Sequence, residues 1–155
     1  MTRSAMRLGE LFEGLDAETA ETMISGMTAD SRQVAKGDLF AALEGVAADG
    51  RQFIPQAVIN GAAAILASGY EADIAVPLVT SREPRRALAL AAATFYGAQP
   101  NTMIAITGTN GKSSTVDFLR QLWSHAGITA ASMGTLGAVG PEGAINLGHT
   151  TPDPV

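Results

Sequence analysis

"MIAITGTNGKSST", residues 103–115, decides how the chain is read. Its apolar opening suits a buried parallel strand, and Gly108 and Gly111 permit a turn that side chains would block. Lys112, Ser113 and Ser114 then start a helix. Unpaired N–H groups at a helix N-terminus face outward, and the helix dipole favours an anion there. Lys112 adds a point charge for β/γ oxygens, and the Ser113 hydroxyl can ligate Mg²⁺. Gly108, Thr109, Asn110, Gly111, Lys112, Ser113 and Ser114 therefore read as an ATP loop, with Lys112 as its catalytic residue and Ser113 as its metal ligand. The match to G-x-x-x-x-G-K-[ST] is incomplete, because Ile106 stands where the first glycine belongs. The competing reading is a glycine-rich turn capped by hydroxyls.

The bulk numbers narrow the partners. At 155 residues the chain suits one ordinary domain, or a small domain plus part of another. A formal net charge of −5 argues against nucleic acid, which selects a basic surface. There is no cysteine, and the two histidines, His125 and His149, are too few for a structural zinc site. No apolar run approaches the roughly 20 residues that cross a bilayer, and acidic residues interrupt the N-terminus before a signal peptide could form. A cytoplasmic monomer without membrane contact is expected.

Around the glycine-rich turn, strands alternate with helices, which points to the α/β class. Residues 7–25 read as a helical region, with Leu8, Leu11, Phe12 and Leu15 at helical spacing. Residues 27–32 give an extended piece entering a polar turn, and 37–43 a strand. Residues 45–54 read as loop, and a helix with Pro55 in its first turn follows. The runs 62–68 and 77–81 have strand length, and 83–97 is an Ala/Leu helix with proline at its start and Gly97 as its stop. After "AQPN" come strand 102–107, helix 112–126 and strand 128–133, and then a Gly/Pro-rich loop tail. Phe118, Leu119 and Trp123 read as core, His125 as a helix C-terminal charge, and Arg82, Arg85 and Arg86 as a solvated face. The back of the chain holds one strand–helix–strand unit, too little for a covered parallel sheet, so it reads as cut off.

The shortened loop "TGTNGKSS" resembles that of the Mur ligases and of their relative folylpolyglutamate synthase. "TADSRQVAKGDLFAAL" with "ADGRQFIPQAVINGAAAI" is similar to the UDP-binding N-terminal domain of two Mur ligases. "SMGTLG" (132–137) and "HTTPDP" (149–154) resemble the one that adds the third residue of the peptidoglycan stem peptide. The resemblance implies a UDP-substrate-binding α/β domain over 1–98 and the beginning of a P-loop, Rossmann-like ATP-binding domain over 99–155. It implies an ATP- and Mg²⁺-dependent ligase whose substrates are UDP-N-acetylmuramoyl-dipeptide and an amino acid, diaminopimelate or lysine. ATP phosphorylates the D-Glu carboxylate, and the incoming amine attacks the acyl phosphate to form the amide. The alternatives are the dipeptide-adding Mur ligase and a non-catalytic UDP-sugar-binding module.

The resemblance also assigns substrate contacts. Ser31 meets the uridine-diphosphate end directly, in the turn Asp30-Ser31-Arg32, and Ala29 contributes backbone. Val46, Ala47 and Ala48 align with a nucleoside-touching loop, with apolar residues where some relatives carry histidine and glutamine. His149, Thr150 and Thr151 occupy the loop for the sugar–peptide part, with His149 where asparagine is common. Because the chemistry needs residues beyond the glycine-rich turn, the 155-residue chain should show no amino-acid-dependent ATP hydrolysis. Measurable turnover in a phosphate-release assay would overturn that expectation.

Overall fold

A computed structural model describes residues 5–45, 48–147 and 155. The chain divides into two compact units, with the division between Gln99 and Pro100.

In the first unit, residues 38–42 (DLFAA) and 64–67 (AILA) lack the polar–apolar alternation of a half-exposed strand, which marks them for burial on both faces. They become the centre of its sheet. In chain order the unit contains β1 (Met6–Arg7), α1 (Leu8–Leu11), α2 (Ala17–Ala20), β2 (Met23–Ile24), β3 (Gly26–Thr28) and β4 (Asp38–Ala42). A 3-10 turn at Gly50–Phe53 leads into α3 (Ile54–Asn60), followed by β5 (Ala64–Ala67), β6 (Leu78–Thr80) and α4 (Pro84–Tyr96). Strands β3, β4, β5 and β6 lie in that order and all run parallel.

Alternation along the central strands sends successive side chains to opposite faces. Leu39 and Ala41 of β4, with Ala64 and Leu66 of β5, pack against Leu88, Ala91 and Ala92 of α4 and against Leu8 and Ile24. Phe40, Ala42, Ile65 and Ala67 pack against Ile54 and Ala57 of α3. Each fully buried large aliphatic side chain contributes about 1.5–3 kcal/mol. Alanines at the remaining sites let the helices approach the sheet. Because the four strands are parallel, their carboxyl ends share one edge, where open α/β sheets place their ligands.

Residues 7–25 do not form the expected helical region. Phe12 leaves the helical conformation, and the Asp16 carboxylate caps a fresh helix by accepting from the N–H groups of Glu18 (3.1 Å) and Thr19 (3.0 Å). The two short helices lie close, since a Cβ on Gly9 would stand 2.8 Å from Ala20 Cβ. Flanking β1 and β2 pair antiparallel and tie this hairpin together.

The second unit contains α5 (Lys112–His125), β7 (Ser132–Gly134), β8 (Gly137–Gly140) and β9 (Gly143–Ile145). Four expectations are corrected here. Residues 102–107 form no paired strand, and Met103 and Ile104 are exposed. An apolar run becomes a strand only with a ladder partner, and the described strands of this unit pair with one another. Of the expected strand 128–133 only its end is paired, within β7. The tail read as loop supplies β8 and β9 of an antiparallel meander, through turns at 135–136 and 141–142. Phe118 is also not core: it is 63% exposed. Val116 faces the meander, and two residues on, about 200° around the helix, the side chain points away.

Among the described residues no helix is long and apolar enough to cross a membrane. Leu66→Ala removes a side chain at the middle of the doubly covered sheet, and should lower stability by about 2–5 kcal/mol. Urea unfolding followed by far-UV circular dichroism checks this, and a loss under about 1 kcal/mol would contradict the burial described.

Candidate functional site

The connection from β3 to β4 leaves the carboxyl edge through Ala29, Asp30 and Ser31. The Asp30 carboxylate closes the turn by accepting from Arg32 N (3.0 Å), Arg32 Nε (2.9 Å), Arg32 Nη2 (2.7 Å) and Gln33 Nε2 (3.2 Å). Thr28 Oγ1 accepts from Asp30 N–H at 3.1 Å. The hydrogen bonds from Arg32 hold the Asp30 carboxyl far below the usual carboxylate range. Ser31 is 8% exposed and is the one buried polar residue among those described. Its carbonyl accepts from Asn60 Nδ2 at 3.0 Å, while its hydroxyl has no hydrogen-bond partner among the described residues. Ala29 is half-buried against the α4-side core.

The loop after β4 is gathered by charge. Arg51 donates Nη2 to Asp49 Oδ2 (2.6 Å) and lies 3.2 Å from Glu44 Oε1, while Glu44 and Asp49 are bridged across the loop base. Arg51 holds the Asp49 carboxyl below its ordinary range, chiefly by side-chain hydrogen bonding. Ser68 Oγ donates to Glu44 Oε1 at 3.1 Å, and Arg85 Nη2 to the Glu44 carbonyl at 3.3 Å. Arg85 thus reaches back to the loop, beyond the solvated role expected of it. Ala48 is exposed, and its carbonyl accepts from Gly45 N–H at 3.0 Å. Sequence reasoning missed the Glu44–Asp49–Arg51 clasp, although acidic, acidic and basic residues within eight positions of a strand end were a visible signal. Val46, Ala47, His149, Thr150 and Thr151 lie outside the described residues.

In the second unit, Gly108 and Gly111 both take positive φ, 142° and 78°, and Gly111 caps α5 without a side-chain hydrogen bond. No side chain therefore competes for the first N–H groups of the helix. Lys112 Nζ folds back over the turn, donating to the carbonyls of Gly108 and Thr109. The same four-atom reach would carry the ammonium to a phosphate lying on the turn. Ser113 Oγ donates to Thr135 Oγ1 at 3.3 Å. Asn110 and Ser114 are exposed beside them. A cleft of about 220 Å³ opens here, lined by Lys112, Ser113, Val116 and Asp117 of α5 and by residues 132–137. Arg120 at 2.6 Å keeps Asp117 below the usual carboxylate range. Thr135 and the turn around it were missed as site residues; the "GTLG" turn was the available signal.

The residues present fit a nucleotide phosphate: an uncapped helix N-terminus, a glycine turn with open space at Gly111, and a lysine within reach. For Mg²⁺ the donors are hydroxyls, Ser113 with Thr135 beside it. Among the described residues no three His, Cys, Asp or Glu side chains cluster for a metal.

Residues 23–96 match the Mur ligase family, catalytic domain, and residues 106–155 match the Mur ligase middle domain. The chain belongs to the Mur ligase family. The UDP-N-acetylmuramoyl-L-alanyl-D-glutamate–2,6-diaminopimelate ligase of Chelativorans sp. (strain BNC1) is 50% identical over 155 residues, covering 97% of this chain and 32% of that protein. A solved structure of a ligase of the same name superposes with a TM-score of 0.80 at 27% identity, over 97% of this chain and 31% of the other. The MurF ligase of Thermotoga maritima in complex with ADP superposes at 0.53 with 30% identity, over 64% of this chain and 23% of that one. The chain thus spans about a third of the length of the curated relatives it matches. The α/β fold with its parallel sheet is that of the Mur ligases.

The depressed Asp30 carboxyl makes the turn sensitive to acid. A carboxyl lowered in the folded state adds stability above its unfolded pKa, near 3.9, and that stability is lost as pH falls through the folded value. Thermal melts from about pH 6 to pH 2 should show the native chain losing its advantage over Asp30→Asn as pH falls. Parallel curves for the two proteins would contradict the assignment.

Proposed function

We propose that this chain carries the UDP-substrate-binding domain (1–98) and the beginning of the ATP-binding domain (99–155) of a ligase of peptidoglycan synthesis. That ligase joins an amino acid to UDP-N-acetylmuramoyl-L-Ala-D-Glu. The single observation that carries the reading is 50% identity across 97% of the chain to a diaminopimelate-adding ligase. The higher TM-score to a ligase of that name than to MurF, 0.80 against 0.53, supports the third-residue reaction over the dipeptide-adding one.

The resemblance assigns the roles, and the geometry of the described residues supports those at Ser31 and at the glycine turn. Ser31 is a donor held at a pinned turn with its hydroxyl unclaimed, suited to the uridine-diphosphate end. Ala29 contributes backbone beside it, and the resemblance gives Val46, Ala47 and Ala48 to the nucleoside and His149, Thr150 and Thr151 to the sugar–peptide part. ATP supplies the activation of the D-Glu carboxylate as an acyl phosphate. The residues Gly108 to Ser114 position its phosphates, Lys112 neutralises charge on them, and the Ser113 hydroxyl holds Mg²⁺.

Two titrations by isothermal calorimetry test this. The chain should bind UDP-N-acetylmuramoyl-L-Ala-D-Glu more tightly than the corresponding tripeptide precursor, and preference for the tripeptide would sink the reading. Lys112→Met should weaken binding of Mg-ATP by about ten-fold or more, the worth of a hydrogen bond to a charged group. Unchanged ATP affinity would remove Lys112 from the site.

A further inference from the structure

We infer that Asn60 is a positioning residue for the substrate, acting through Ser31; this rests on the reading that Ser31 meets the uridine-diphosphate end. Asn60 is the last residue of α3, 29 positions away from Ser31 in sequence, yet its Nδ2 donates to the Ser31 carbonyl at 3.0 Å. The amide is held in that sense by its own helix. Gln56 Nε2, one turn earlier, donates to Asn60 Oδ1 at 2.9 Å, so the oxygen is taken and the nitrogen faces Ser31.

The turn is thus gripped on both sides of Ser31. Before and after it, Asp30 binds Arg32 and Gln33, and from α3 Asn60 fixes the peptide that Ser31 itself carries. With that carbonyl fixed, the backbone angles of Ser31 are restricted, and so is the direction of its hydroxyl. Yet this hydroxyl, on a residue 8% exposed, has no partner among the described residues. A turn pinned by the Asp30 and Asn60 hydrogen bonds, with the Ser31 hydroxyl left open, is preorganised for a ligand that hydrogen-bonds to that hydroxyl. Asn60 sets that hydroxyl without itself touching the ligand.

The test uses UDP as the probe, titrated into the 155-residue chain by calorimetry. Asn60→Asp keeps the size and the acceptor for Gln56 but removes the donor to Ser31. It should weaken UDP about fivefold, the worth of one neutral hydrogen bond. Gln56→Ala releases the amide and should weaken UDP in the same direction by a smaller factor; it carries the test if Asn60→Asp folds poorly. The decisive readout is the double variant, because residues acting through one another are not additive. Ser31→Ala with Asn60→Asp should bind UDP no more weakly than Ser31→Ala alone. Multiplied losses in the double variant, or unchanged UDP affinity in both Asn60→Asp and Gln56→Ala, overturn the inference and leave the Ser31 reading intact. Unchanged affinity in Ser31→Ala overturns the underlying reading and the inference with it.

Discussion

Burial of β4 and β5 on both faces is the constraint on which the first unit depends. Leu39 and Leu66 must be covered from one side while Phe40 and Ile65 are covered from the other, so a helix is required on each face. Helices on both faces in turn require crossovers, and the strands therefore run parallel. A parallel sheet gathers all its carboxyl ends at one edge, and the loops leaving that edge hold the polar residues the core rejects. The turn at Ser31 and the clasp of Glu44, Asp49 and Arg51 both belong to those loops. Stability and site are thus linked, since the side chains that hold β4 in place also fix where its loop begins.

The two candidate sites are prepared differently. Around Ser31, side chains from three elements converge, and the turn is held by charge and amide hydrogen bonds. The glycine turn before α5 is held by its own backbone: positive φ at Gly108 and Gly111, a helix N-terminus without a side-chain cap, and a lysine bonded to the turn's carbonyls. Phosphate oxygens would be stronger partners for that ammonium than the carbonyls it now contacts. The clasp after β4 combines both styles, with a strand-end backbone gathered by a guanidinium.

Much of the sheet was legible in the sequence because its signals are local. The apolar runs 37–43 and 62–68, Pro55 at the start of α3, and the proline and glycine around α4 mark those elements to within two residues. The region 7–25 misled because helical spacing of Leu8, Leu11 and Leu15 is silent about Asp16, which starts a second helix instead of continuing the first. Residues 102–107 are apolar enough for a strand, but pairing is a property of neighbours, which the run itself does not encode. The meander was hidden by its composition, since glycines that read as loop also form the tight turns between β7, β8 and β9. In the sites, the glycine turn and "DSR" were visible as short motifs. Asn60 and Thr135 were not, because each acts on a residue more than twenty positions away.

The proposed function puts the uridine-diphosphate end of the substrate at the carboxyl edge of the first unit. Amide chemical-shift mapping of the ¹⁵N-labelled chain with UDP-N-acetylmuramoyl-L-Ala-D-Glu tests it most directly. The largest first-unit shifts should fall on residues 29–33 and on the loop after β4. Shifts confined to other parts of the chain, or none in the 29–33 turn, would contradict it.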